Sequence, residues 1–140
     1  MVRSPVTGVV TRIFEEWAGT QVQITSEACP AFTFAIFHVN LAAPVALGQR
    51  FIAGQTLGTH IGAQTASDIA VIVATPPGRR FVSWFALMTD SLFHQFQLRG
   101  VATRDSLIIS RAVRDADPLT CDVYGGFLSQ GGVPSWVELP

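Results

Sequence analysis

Four glycines, Gly48, Gly54, Gly58 and Gly62, fall four to six residues apart in the middle of this chain. No stable helix carries glycine at that density, because each one costs about 1 kcal/mol relative to alanine. The stretch APVALGQRFIAGQTLGTHIG is therefore read as short strands joined by tight turns, Arg50–Ile52 and then Thr56–Ile61. It is bracketed by two apolar runs, FTFAIFHVNL from Phe32 and SDIAVIV from Ser67. Each run carries one ionisable residue, His38 near the end of the first and Asp68 at the start of the second.

The rest of the first half follows the same period. Val9–Phe14 is a β-branched run after the turn residues Ser4-Pro5-Val6-Thr7-Gly8, and Glu15–Gly19 reads as a turn. Thr20–Thr25 alternates, which puts Val22 and Ile24 on a core face and the glutamines outward. In Phe32–Leu41, period two places Phe32, Phe34, Ile36 and His38 on one face. Thr33, Ala35, Phe37 and Val39 take the other, and two largely apolar faces mark a central strand. Asp68, Ala70 and Ile72 share one face of the run from Ser67 to Ala74.

Thr75-Pro76-Pro77-Gly78 reads as a stop, and the pattern changes after it. Phe81, Trp84, Phe85, Met88, Leu92, Phe93 and Phe96 recur at helical spacing, so a long helix is expected over 81–98 with Gly100 ending it. A shorter helix is expected over 104–114, broken between Asp115 and Pro118. The tail to Pro140 holds paired glycines beside Tyr124, Phe127 and Trp136, which suits an irregular but docked segment. A single domain is expected, its β core over 4–76 and its helical extension and tail over 79–140.

Composition narrows the chemistry. The basic residues are all arginine, so Schiff bases and lipoyl or biotin attachment through lysine are excluded. A net charge of −1 gives no reason to expect nucleic acid as a partner. Only 14% of the residues are charged against 49% hydrophobic, which favours a partner surface or a homodimer built on helix 81–98 and the tail. Cys29 and Cys121 are too few for a structural zinc site, and sequence leaves their pairing open. The opening MVRSPVTG has no apolar h-region and no run reaches membrane-spanning length. A soluble chain away from the membrane, cytoplasmic by default, is the expectation.

The order SPVTGVVTRIF, GTQVQI, FTFAIFHVNL, VALGQRFIAGQTLG, SDIAVIV resembles the core of the lysostaphin-like zinc endopeptidases over Ser4–Val73. That resemblance implies a barrel-like β-sandwich of the duplicated hybrid motif type, here with appended α-helices. His38 falls where the family has a histidine that handles the attacking water. Asp68 and Ala70 fall at the two histidines of its H-x-H motif, the second a zinc ligand. The family's H-xxx-D motif has no counterpart, since only Met1-Val2-Arg3 precede Ser4. A hydrolytic zinc needs three protein ligands and an open position, so no zinc cofactor is expected.

His38 also sits in a strand similar to the FVHFGID strand of the glucose-type IIA phosphocarriers, which share this fold. Their second histidine would fall around Thr20–Val22, where there is none. The resemblance thus implies a non-catalytic, peptidase-like binding or assembly domain. Its groove would hold His38 and Asp68, with His60 reaching it from a glycine-flanked strand, and its ligand would be a small polar molecule, a glycan or a peptide. The alternatives are a hydrolase with a metal site rebuilt from His38, His60 and Asp68, a phosphocarrier using His38, and a purely structural homo-oligomer. His94 reads as a surface residue, and no phosphate-binding glycine loop or nucleophile elbow is present.

Overall fold

In the computed structural model, residues 1–62 and 68–116 are described. The chain divides into two compact units, Met1–Trp84 and the residues from Phe85 onward. The tail with Tyr124, Phe127, Trp136 and Cys121 lies outside the described residues, whereas Cys29 is exposed.

The first unit is mainly antiparallel β structure, one sheet that curls into a half-barrel. Its strands are β1 Val2–Arg3, β2 Gly8–Glu16, β3 Gly19–Ser26, β4 Phe32–Leu41, β5 Arg50–Phe51, β6 Thr56–His60, β7 Ile69–Thr75 and β8 Gly78–Val82. They run in the order β1-β6-β4-β3-β2-β5, while β7 pairs with β4 and β8 with β7. β4 is central, as its two apolar faces require.

The sheet buries Val10, Val22, Ile24, Phe34, Ile36, Val39, Phe51, Leu57 and Val71 on one face. Trp84 packs against this cluster, its ring edge-on to Phe34 at 5.9 Å. The glycine-punctuated stretch does form short strands, and two of its glycines act differently. Gly54 takes φ +83 in open space, where a side chain would be strained by its backbone alone. At Gly58 a Cβ would stand 2.0 Å from the Asn40 carbonyl oxygen, so β6 can lie against β4 only without one.

Several expectations are corrected. Gln21 stays out of the core cluster, but it is buried, at 8% exposure, rather than open to solvent. Val39 joins Phe34 and Ile36 in the core, and His38 leaves their face because the register of β4 against β3 shifts between Ile36 and Val39. Pro76-Pro77 turns the chain rather than ending the sheet. Thr75 pairs with Gly78 at φ +118, and β8 returns along β7 from Gly78 to Val82.

The helix expected over 81–98 is accordingly split. Phe81 is a strand residue and 75% exposed, so it belongs to no buried helical stripe. A short α1 spans Trp84–Leu87, and α2 spans Asp90–Gln97. Thr89 separates them, its hydroxyl accepting from the Leu92 N–H at 3.3 Å as an N-cap that starts a new helix. Gly100, at φ +88, follows the end of α2. In place of a helix over 104–114 there is a 3₁₀ turn, Arg104–Leu107, and α3, Arg111–Ala116.

The second unit is pinned by Arg104. Its guanidinium donates to the Phe85 carbonyl at 3.0 Å, the Met88 carbonyl at 2.7 Å and the Asp90 carboxylate at 2.5 Å. It also lies 4.7 Å from the centre of the Phe93 ring. Among the described residues, no helix is long and apolar enough to cross a membrane.

Candidate functional site

The site begins with a mismatch in register between β3 and β4. Thr20 pairs with Val39, but the next pair is Val22 with Ile36. Two residues of β4, Phe37 and His38, therefore face one residue of β3, Gln21. This is a β-bulge, and it explains why simple alternation misplaces everything after Ile36. His38 takes φ +56, the only non-glycine residue at positive φ among the described residues. An L-residue enters that left-handed region at a cost of about 1–3 kcal/mol, which surrounding contacts must hold in place.

The bulge also marks a change of neighbour. Up to Ile36, β4 pairs with β7; from Val39 it pairs with β6. The Phe37 N–H donates to the Asp68 carbonyl at 3.1 Å, just before β7 begins. His60 lies opposite Val39 at the end of β6 and is exposed. The fold thus brings Asp68 and His60 to the two sides of the break that His38 occupies.

The direct partner of His38 comes from Glu15–Gly19, the stretch that reads as a turn in the sequence. β2 continues through Glu16, and Glu16 pairs with Gly19 around a two-residue turn, Trp17-Ala18. Gly19 has φ +83, and a Cβ there would come within 2.8 Å of the Val39 carbonyl oxygen. Only glycine lets this hairpin end press so close to the bulge. The Glu16 Oε2 then lies 3.0 Å from His38 Nδ1 and accepts from the His38 N–H at 3.3 Å. The Ala18 carbonyl oxygen is 3.2 Å from the same Nδ1.

These contacts fix the imidazole chemically. Nδ1 faces only oxygen acceptors, so the neutral ring keeps its proton there and presents Nε2 as an acceptor. Among the described residues Nε2 has no hydrogen-bond partner. The side chains of His38 and Glu16 are 15% and 19% exposed, enough for a ligand to reach an edge of each. Trp17 and Phe37 flank the imidazole, each ring centroid 6.0 Å away and tilted by 53° and 50°. Trp17 is 78% exposed, an indole face offered to solvent at the hairpin tip.

Asp68 is exposed, but its carboxyl pKa is still raised from the ordinary 3.8. Partial burial is the largest cause; the charge of His38 opposes it and that of Glu16 adds to it. The arrangement offers two carboxylates, one bare ring nitrogen and an aromatic surface. It suits hydrogen bonding and stacking with a polar ligand. Among the described residues, no group of three or more His, Cys, Asp or Glu could hold a metal ion. No local signal in the sequence marks Glu16 and Trp17 as site residues, because only the bulged register carries them to His38.

No family model, no curated protein and no solved structure matches this chain.

Proposed function

We propose that this is a non-catalytic, peptidase-like binding or assembly domain of the duplicated hybrid motif type. In this reading, His38, Glu16 and Asp68 form the polar end of a groove across the sheet, and Trp17 forms its aromatic wall. The observation that carries the reading is the left-handed His38, held at φ +56 with Nδ1 against Glu16 and Nε2 unpartnered among the described residues. A strained backbone persists where surrounding structure over-determines it, and such positions cluster at ligand sites. A glycan or a short peptide is the ligand class that fits, since both offer hydroxyl or amide donors to Nε2 and a face to stack on indole.

The test is a fluorescence titration of the full chain with soluble peptidoglycan fragments, with Trp17→Phe as the control for the indole signal. Saturable quenching that disappears in Trp17→Phe and weakens in His38→Ala and Glu16→Gln supports the reading. Stoichiometric zinc with hydrolysis of the same fragments would overturn it in favour of a hydrolase. The absence of any saturable change would overturn the assignment of the groove.

A further inference from the structure

We infer a separate oxyanion-binding site on the sheet face opposite the apolar core, at the other end of β4 from His38. Its centre is a row of hydroxyls across three neighbouring strands. Thr25 Oγ1 lies 3.1 Å from Thr11 Oγ1 and 3.0 Å from Thr33 Oγ1. The row exists because Thr25 and Thr33 are paired in register, while the irregularity between Val10 and Arg12 turns Thr11 toward them. These three hydroxyls line a concavity of about 190 Å³ together with Gln23, Arg12 and Arg79.

Proton counting shows what the row offers. Three hydroxyls carry three protons, and two links between them use two. The third is spare; when it sits on Thr11 it meets the Gln23 carbonyl oxygen, 3.4 Å from Oγ1 and at the long edge of hydrogen bonding, and when it sits on Thr33 it is open to the concavity. An anion above the row would accept that proton at a better distance.

The charge around the row has one sign. Among the described residues, Arg12 and Arg79 line the concavity, no aspartate or glutamate does, and neither guanidinium is in an ion pair with a carboxylate. By contrast, Arg50, Arg104, Arg111 and Arg114 all have one. Guanidinium groups recognise carboxylate and phosphate through paired N–H donors, and the space suits one such group on a small ligand. The occupant is an oxyanion, a phosphate ester or a carboxylate.

The experiment is a calorimetric titration of the full chain at low salt, in one arm with inorganic phosphate and in the other with succinate. Saturable binding of either is the expected result, and the arm that binds tells a phosphate ligand from a carboxylate one. Arg12→Gln and Arg79→Gln should each weaken it about tenfold, the loss of one charge-assisted contact, and His38→Ala should leave it unchanged. Both arginines are exposed, so their variants should fold, which circular dichroism verifies. No saturable binding in either arm would overturn the site. So would binding that both arginine variants retain, or that His38→Ala abolishes.

Discussion

Glu16 holds His38 at two points, its Oε2 accepting from the backbone N–H and lying 3.0 Å from ring Nδ1. One carboxylate thus fixes both the bulge and the orientation of the imidazole. The neutral His38 should be the Nδ1–H tautomer. Long-range ¹H–¹⁵N correlations on ¹⁵N-histidine protein read this directly, and a protonated Nε2 in the neutral ring would contradict the site geometry.

The positive φ of His38 gives a stability order that side-chain contacts alone would not. His38→Gly loses the ring contact with Glu16 but keeps the backbone N–H bond to it and removes backbone strain, so its unfolding free energy should stay within about 1 kcal/mol of the native protein. His38→Val places a β-branched residue at the same φ and should lose about 2–3 kcal/mol. Urea denaturation of the two variants provides the comparison. Equal losses would mean that the strain is not stored at this residue.

Asp68 should make the domain slightly less stable at neutral pH than it would be with an uncharged side chain. Its folded-state pKa is raised above the ordinary 3.8, so the folded chain holds this proton more tightly than the unfolded chain. The contribution of Asp68 therefore falls as pH rises from about 3.8 through the raised value. Asp68→Asn should raise the urea midpoint at neutral pH and match the native protein near pH 3. The gain should be small, because the carboxyl is exposed and screened. A lower midpoint for Asp68→Asn at neutral pH would mean that the charge makes a favourable contact.

Gly58→Ala should be among the most damaging single changes in the β unit. Its Cβ would meet the Asn40 carbonyl oxygen at 2.0 Å, and backbone cannot give way as a side chain can. The expected loss is about 3 kcal/mol or more, while Gly54→Ala, in open space at positive φ, should cost about 1–2 kcal/mol. Thermal denaturation of both variants would show whether β6 lies as close to β4 as described.

Arg104→Lys should loosen the second unit although it keeps the charge. A single ammonium cannot reach the Phe85 and Met88 carbonyls and the Asp90 carboxylate together, nor stack on Phe93 as a planar guanidinium does. Faster amide exchange over residues 89–101 is the expected readout. Unchanged exchange there would show that apolar packing alone holds this unit.

What the sequence makes legible is the part governed by short periods. Val22, Ile24, Phe34 and Ile36 alternate into the core as their pattern requires, and the bounds Phe32–Leu41 match the apolar run. Glycine spacing correctly rules out a helix between Ala42 and Gly62. The pattern fails where one extra residue enters β4, because alternation cannot register a bulge. That is also why Asp68 is the evident acid for His38 in the sequence, while Glu16 makes the contact. The aromatic spacing after Gly78 misleads for a different reason. Phe81 satisfies a helical period by coincidence, while the backbone groups of Arg79–Val82 find partners along β7. Thr89, a good N-cap residue, is the local mark of the helix start that periodicity obscures.

The exchange of β7 for β6 as the neighbour of β4 divides the work of zipping the sheet. Each neighbour ends its ladder at the bulge, so either can peel away without first tearing the other's hydrogen bonds. Strands β2, β3 and β4 join through short connections and form the frame on which two longer excursions of chain must close. His38 is the seam between those closures, and any molecule gripping its imidazole would tie both of them to one residue.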